Sequence, residues 1–204
     1  MVIDDEKYKL SPNNYLKVES IKKQIIIGHT SNHDMKHFNG WVNRHNGKYL
    51  KTAAFTIDTE GLIHKHFNPK FQSKYFGEPE QDSKSIVILL ENDGWLSRKL
   101  TNDEFYNWKG DIYKGRVVGK IWRGYNKWAH YTDKQLDSCV ELVSMLCEEF
   151  FIPNVALSHN TKIDDLTEFK GVVYKSNLEK HYTDISPAWD CEAFKNKLEI
   201  KQKL

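Results

Sequence analysis

Two short apolar runs place the tightest limit on the fold of this chain. They read IIIGHT at residues 25–30 and SIVILLEN at residues 85–92, and both are rich in aliphatic side chains. Apolar runs of this length are typical of strands that are buried on both faces, whereas a half-exposed strand alternates apolar and polar residues. The sequence therefore predicts a central sheet that is covered by structure on each side.

The remaining patterns fit such a sheet. Residues 53–67 alternate as in a β-hairpin, and residues 154–160 resemble a further short strand. Residues 132–151 carry apolar side chains at helical spacing, and residues 187–199 predict a closing helix. Helices and strands in this order indicate an α/β fold, with a mixed central β-sheet flanked by helices.

Three local signals place the ends of these elements. The hairpin turn falls at Glu60-Gly61. Thr132 or Asp133 can cap the long helix, which ends before Pro153. Asp190 is suited to be the N-cap of the closing helix.

Composition limits the classes of partner. The chain has 204 residues, and its 30 Lys and Arg against 28 Asp and Glu give a formal net charge of +2, which is not the footprint of a nucleic-acid-binding protein. No apolar stretch approaches the ~18 residues of a membrane span. The first ten residues, MVIDDEKYKL, lack the apolar region of a secretory signal. We expect a protein that is made in the cytoplasm, binds no nucleic acid and does not span a membrane.

The chain contains no repeat or low-complexity linker, so we expect one domain over residues 1–204 with its core at about residues 24–198. Residues 95–131 form an aromatic-rich segment that we expect to be a loop insertion. Its tryptophans are suited either to stack on sugar rings, with Arg123 and Lys127 meeting carboxylates, or to form a small core that holds the loop in place.

The candidate chemistry rests on three residues that are far apart in the sequence. His29 and His159 each follow an apolar run, and Asp184 precedes a Ser-Pro turn. Active sites in open sheets gather at strand ends. Two imidazoles and a carboxylate suit Zn²⁺ with a fourth position left for water, which is the chemistry of amide or ester hydrolysis. We therefore predict a zinc site with His29, His159 and Asp184 as ligands.

Six motifs in order resemble one family, the zinc-dependent N-acetylmuramoyl-L-alanine amidases, relatives of the peptidoglycan recognition proteins and of the phage lysozyme-type amidases. The matching stretches are IIIGHTS, AAFTIDTEGLI, KSIVILLEN, YTDKQ, IPNVALSHN and YTDISPAWDC. The resemblance covers roughly residues 24–198. It implies an amidase-like single domain, the same three zinc ligands, and cleavage of the amide between muramic acid and the stem peptide of peptidoglycan.

The family's catalytic helper residues are replaced in this chain. Leu89 stands where many members have a glutamate base, Ala53 where others have a tyrosine, and Tyr182 where the family has a lysine. Glu91 lies on the same face of its strand as Leu89 and is the candidate base, against the alternative of a solvated carboxylate.

Lys180, His181 and Tyr182 are the candidates to replace the missing lysine, which steadies the oxyanion in the family. The alternative for Lys180 is a surface residue. The 25 residues from His159 to Asp184 exceed the spacing in the family, so His181 is also a rival ligand.

Four other histidines are set aside as ligands. We interpret His33 and His37 as surface residues, because no glutamate stands between them as a helical HExxH site requires. His64 and His66 share one face of the second hairpin strand and are predicted to be exposed or to face the substrate.

Three hypotheses for function follow. The first is a zinc amidase that cuts bacterial peptidoglycan, a phage-type lysin that reaches the wall after release or within a phage particle. The second is a module of the same fold that binds muropeptide without cutting it, which Leu89 and Ala53 favour. The third is a zinc peptidase with another amide substrate.

Overall fold

The computed structural model describes residues 1–31, 33–99, 103–159, 161 and 166–202. Its strands are short, and we number them in chain order: β1 Ile3–Asp4, β2 Gln24–Thr30, β3 Phe55–Ile57, β4 Ile63–Lys65, β5 Ser85–Glu91, β6 Ser97–Arg98, β7 Phe105–Tyr106, β8 Ile112–Tyr113, β9 Val117–Trp122, β10 Tyr125–Ala129 and β11 Gly171–Tyr174. The helices are α1 Lys36–Asn43, α2 Pro79–Lys84, α3 Asp133–Glu149, α4 Lys175–Leu178 and α5 Cys191–Gln202.

A six-stranded mixed sheet forms the centre, in the order β1-β4-β3-β5-β2-β11. The two predicted apolar runs are neighbours: β2 pairs with β5 in parallel, with Gly28 opposite Leu89 and Thr30 opposite Glu91. Every residue of β5 is buried, as are the first five residues of β2. Because the two strands are parallel and in register, their carboxyl ends meet at one edge, and the side chains that follow them are brought together.

The predicted α/β class, the hairpin and the long helix are confirmed. β3 and β4 are antiparallel neighbours, with Phe55 opposite Lys65. Helix α3 begins with a capping box, in which the Thr132 hydroxyl accepts from the Gln135 N–H and the Gln135 side chain accepts from the Thr132 N–H. Its apolar face joins the core. Among the helices of the described ranges, none combines the length and the hydropathy that crossing a bilayer requires.

The closing helix also begins as predicted. The Asp190 carboxylate accepts a hydrogen bond from the Ala193 N–H at 2.9 Å, which caps the first turn of α5. Phe194 and Leu198 on this helix are buried in the core.

The strand predicted at residues 154–160 is wrong. This stretch makes only an isolated bridge between Ala156 and Val172. The sheet is completed by β11, which pairs in parallel with β2 and is fully buried. Residues 155–157 lie against β11, where the Leu157 N–H donates to the Val172 carbonyl and the Val172 N–H donates to the Val155 carbonyl. The predicted strand is therefore reduced to a single bridge beside β11. Residue 160 lies outside the described residues.

The aromatic segment 95–131 contains strands as well as loops. Strands β6, β7 and β8 form one small antiparallel sheet, and β9 with β10 forms a hairpin. Trp128 is fully buried while Trp108 is 57% exposed. The segment therefore has a small aromatic core, as one of the two interpretations predicts, and it also presents one tryptophan face to solvent.

Candidate functional site

His29 follows the buried part of β2 and lies at the centre of the site. Its backbone N–H donates to Asp184 Oδ2 at 3.3 Å, and its Nδ1 lies 3.0 Å from the Tyr131 hydroxyl. Its ring packs on Gly94, where an added Cβ would come within 2.9 Å of Nε2. Burial lowers the pKa of His29, and Lys175 adds to this, against the opposing charges of Asp184 and Asp93. The imidazole is therefore held neutral at ordinary pH.

Asp184 and Lys175 form an ion pair beside His29. The Lys175 ammonium lies 3.1 Å from Asp184 Oδ2 and 4.6 Å from the centre of the Tyr182 ring. Burial acts to lower the pKa of Lys175, but the neighbouring Tyr75 hydroxyl and Asp184 carboxylate outweigh it and raise this pKa. Sequence reasoning missed Lys175, whose only signal was its place directly after the apolar stretch GVVY.

A glycine makes room for this ion pair. A Cβ added at Gly28 would lie 2.9 Å from Asp184 Oδ2 and 3.4 Å from the Lys175 side chain. Distances under 3.0 Å are not tolerated by real Cβ atoms, so a larger residue here would displace the carboxylate. Gly28 and His29, which end the first apolar run, thus both contribute to the site.

The predicted helper residues are found in three different environments. Glu91 is buried and accepts a hydrogen bond from the Met35 N–H at 2.8 Å. This excludes the solvated alternative, and burial raises the pKa of the Glu91 carboxyl. Lys180 and His181 are exposed. Tyr182 lines the cleft that contains His29.

His159 lies apart from the pair formed by His29 and Asp184. Its ring lies 5.4 Å from the Trp122 ring, and it lines a separate cavity of about 770 Å³ together with Tyr131 and Trp189. Burial lowers the pKa of His159, and the cations Lys120 and Arg123 lower it further. Its Nε2 atom is buried without a hydrogen-bond partner among the described residues.

The described arrangement does not gather the three predicted zinc ligands into one group. Across the described ranges, no three His, Cys, Asp or Glu side chains come together as a ligand set. The Asp184 carboxylate is paired with Lys175, and His29 Nδ1 lies within hydrogen-bond distance of Tyr131. Asp184 contacts the backbone N–H of His29, and the assignment of the three residues to a metal stays a prediction.

A second ionisable pair, also missed from the sequence, lies at the end of β5. His33 Nε2 contacts Asp93 Oδ2 at 2.8 Å, and Asn107 Nδ2 donates to the other carboxylate oxygen at 2.7 Å. The hydrogen bond with Asp93 raises the pKa of His33 above its ordinary value. The signal that could have found it was Asn92-Asp93-Gly94 directly after an apolar strand.

Three of the four histidines that were set aside as ligands are buried. The prediction that they are surface, exposed or substrate-facing residues is therefore wrong. His37 and His66 both lie within hydrogen-bond distance of the Thr56 hydroxyl, at 3.1 and 2.9 Å. His64 lies between the carboxylates of Asp4 and Asp58. His66 Nδ1 also lies 2.8 Å from the Tyr8 carbonyl, and Phe38 of α1 packs against the His66 ring, so α1 and the N-terminal segment cover the hairpin.

Arg123 at the tip of the β9–β10 hairpin is engaged by the main chain. Its guanidinium donates to the carbonyls of Ser176 and Glu179 at 2.8 Å each, and also to that of Tyr182. These donors hold the segment between Lys175 and Asp184. No observation tests the prediction that Arg123 and Lys127 meet substrate carboxylates.

An open cleft of about 380 Å³ lies at the carboxyl ends of β2 and β5. Helix α1 forms one wall, with Lys36 and Trp41, and the opposite side carries Lys175 and Tyr182. His29 and Leu89 lie between them. This volume is within the range of sites that bind small molecules or short peptides.

A family model described as N-acetylmuramoyl-L-alanine amidase matches residues 18–169. This match covers most of the sheet, both small antiparallel sheets and α3. A comparison with curated protein sequences finds no match.

Solved structures share the fold over almost the whole chain. The N-acetylmuramoyl-L-alanine amidase LysC from Clostridium intestinale URNW aligns with a TM-score of 0.57 and 13% identity over 98% of both chains. A mutant endolysin from Bacillus subtilis aligns with a TM-score of 0.56 and 16% identity over 97% of this chain and 99% of that one.

A more distant example is peptidoglycan recognition protein SD of Drosophila. It has a TM-score of 0.50 and 10% identity over 95% of this chain and 94% of that one. At identities this low, the structural likeness establishes the shared fold and does not assign individual residues.

Proposed function

This chain belongs to the N-acetylmuramoyl-L-alanine amidase family, and from that premise we propose that it hydrolyses the amide between muramic acid and the L-alanine of the stem peptide in bacterial peptidoglycan. The family match over residues 18–169 is the observation that carries the proposal. The cleft beside His29 supports it, because active sites of open sheets gather at the carboxyl ends of central strands.

Lys175 is the residue we assign to charge stabilisation in this reaction. When water adds to an amide, negative charge develops on the carbonyl oxygen, and a fixed cation beside that oxygen lowers the barrier. Lys175 lines the cleft next to His29, and its ammonium is held by Asp184 and by the face of Tyr182. Lys180 is exposed and does not line the cleft, so Lys175 replaces it as the candidate for this role.

Glu91 stays the candidate general base. Its buried carboxyl has a raised pKa, which brings a carboxylate closer to the proton affinity that base catalysis needs. It does not line the cleft, so it would act on the attacking water through one intervening water molecule.

Zinc dependence is a separate part of the proposal, and the family resemblance is its support. His29, His159 and Asp184 are the expected ligands. Binding would require Asp184 to exchange its contact with Lys175 for the ion. Elemental analysis of the purified protein, and activity after chelation and zinc restoration, test this part alone. A fully active protein without zinc would overturn it and leave the amidase proposal in place.

We also propose that the protein acts as a phage-type lysin, delivered to the wall after release or within a phage particle. Its structural similarity to proteins named as endolysins supports this. Expression inside a susceptible bacterium should cause lysis only when the inner membrane is permeabilised. Lysis by the protein alone would contradict this route.

Product analysis tests the amidase activity. Purified peptidoglycan digested with the protein should release intact stem peptides with a free L-alanine amine, identified by mass spectrometry, and no new reducing ends. Cuts within the stem would indicate the peptidase hypothesis instead. New reducing ends would indicate a glycosidase and would contradict the proposal.

The second candidate, a module that binds muropeptide without cutting it, is favoured by two observations. Asp184 is already neutralised by Lys175, and Leu89 lies in the cleft where many family members have a glutamate. Sedimentation of the protein with insoluble peptidoglycan, with no product after long incubation, would establish this candidate in place of the enzyme.

A further inference from the structure

We propose that the cleft beside His29 selects stem peptides by negative charge, so that the protein prefers stems with free carboxylates over stems in which those carboxylates are amidated. This inference deepens the proposed function and rests on it. It is carried by the charge of the residues that line the cleft, which includes four cationic side chains: Lys36, Arg44, Lys51 and Lys175.

The described residues that line the cleft include these cations but neither Asp nor Glu. Asp184 does not line the cleft, and its ion pair is with Lys175. A concave site lined by one sign of charge concentrates the opposite sign within it, because its walls focus the field.

The other three cations have little compensation. In the described ranges, neither Arg44 nor Lys51 has a carboxylate within the 4.0 Å of an ion pair, and Asp82 attracts Lys51 over a longer distance. Lys36 approaches Asp34 at 3.8 Å, but both side chains are more than two-thirds exposed. Exposed pairs of this kind are weak. These three side chains therefore remain available to a bound anion.

The walls between the cations favour a short peptide. Trp41, Tyr49 and Tyr75 line the cleft, and the Arg44 guanidinium lies 5.3 Å from the centre of the Tyr49 ring. Aromatic faces bury the apolar parts of a peptide, and a cation held over a ring is oriented for a carboxylate. A volume of about 380 Å³ takes a few residues of such a chain.

The occupant we infer is thus a segment of stem peptide that carries several carboxylates. His29 and Lys175 line the same cleft as the cations Lys36, Arg44 and Lys51. A stem whose first amide bond is placed at His29 would extend past these cations. Amidation removes the charge of each carboxylate and leaves its size almost unchanged, so it isolates the electrostatic contribution.

The test compares kcat/KM on two soluble muropeptides that differ only in amidation of the stem carboxylates. The wild-type protein should prefer the free-carboxylate substrate by about tenfold, which corresponds to about 1.4 kcal/mol. Most of the difference should lie in KM. The preference should shrink as the salt concentration rises, because mobile ions screen exposed charges.

Two variants of equal charge locate the effect. Lys36→Gln/Arg44→Gln/Lys51→Gln should abolish the preference. The control Lys17→Gln/Lys114→Gln/Lys170→Gln removes the same number of charges from exposed lysines that do not line the cleft, and it should keep the preference. Equal melting temperatures would show that both variants are folded.

Three results would overturn the inference. Equal kcat/KM of the wild-type protein on the two substrates would refute it and leave the amidase proposal intact, and this comparison needs no variant. Loss of the preference in the control variant would assign it to net charge instead of the cleft. If neither muropeptide is cleaved, the proposed function is refuted. This inference depends on that function and is then refuted as well.

Discussion

At the scale of single residues, the site is built from groups that lie apart in the sequence and meet only in the folded chain. Lys175 and Asp184 are nine positions apart, and they meet because β11 delivers the lysine to the edge of the sheet where β2 ends. The contact between the His29 N–H and the Asp184 carboxylate then ties the central strand to the segment after α4.

Replacing Lys175 tests its proposed role. Lys175→Gln should lower kcat by about 10²-fold with little change in KM, as expected when one group that stabilises an oxyanion is removed. Lys175→Arg should recover part of the rate because the charge is kept. Steady-state kinetics on a soluble muropeptide measure both, with Lys114→Gln as an exposed control. A larger loss in Lys180→Gln would return the role to Lys180.

The His33–Asp93 pair predicts a pH-dependent stability. The pKa of His33 is raised above its ordinary 6.5, so its stabilising effect is fully present below that value and is lost as the pH rises through the higher folded-state pKa. His33 is 39% exposed, which limits the effect to about 1 kcal/mol.

Chemical denaturation of the wild-type protein and His33→Gln checks this. The difference in their free energies of unfolding should be largest in mildly acidic buffer and smaller in mildly alkaline buffer. Asp93→Asn should show the same trend because it removes the partner. A difference that is constant with pH would contradict the assignment.

At the scale of secondary-structure elements, the β9–β10 hairpin acts on the site through its turn. Arg123 donates hydrogen bonds to the carbonyls of Ser176, Glu179 and Tyr182. The hairpin thereby fixes the segment that links Lys175 to Asp184. The aromatic side chains below, among them buried Trp128, anchor the hairpin to the domain.

Removing this contact should loosen the segment. Arg123→Ala should speed amide hydrogen exchange at residues 176–184 and reduce the free energy of unfolding by about 1–3 kcal/mol, the range for hydrogen bonds to a charged donor. Arg123→Lys should not restore protection, because one ammonium does not match the fork of a guanidinium. Lys120→Ala on the same hairpin is the control, and equal exchange in both variants would refute the role.

Helix α3 offers a second test at this scale. Thr132→Ala removes the hydroxyl that accepts from the Gln135 N–H and donates to the Thr59 carbonyl at 2.9 Å. The free energy of unfolding should fall by about 1–2 kcal/mol, as for other N-caps. Thr132→Ser should recover most of it. Thermal denaturation compares the three proteins, and an unchanged Thr132→Ala would contradict the assigned cap.

At the scale of the whole molecule, the elements that can be predicted are those whose own sequence carries a periodic or apolar pattern. The strands β2 and β5, the hairpin and α3 each carry their own periodicity or apolar run, and each was predicted from it. Strand β11 was missed because only four residues, Gly171–Tyr174, form it within a polar stretch. Its place is decided by pairing with β2, which no local pattern reveals.

The residues of the candidate site could likewise be predicted only in part. His29 and Asp184 were found because strand ends and the turn after them leave a signal in the sequence, and they do meet. The ring of His159 instead packs near Trp122, whose position depends on the β9–β10 hairpin. Lys175 and the cations of the cleft were missed because isolated lysines and arginines are common and their convergence depends on tertiary structure.

The central claim is that this chain cleaves the muramoyl–alanine amide at the cleft beside His29. The most direct measurement is the rate at which free L-alanine amines are released from purified peptidoglycan by the wild-type protein and by His29→Ala, with His45→Asn as an exposed control. We predict release by the wild type and the control, and only the enzyme-free background with His29→Ala. Release at the wild-type rate by folded His29→Ala would contradict the account.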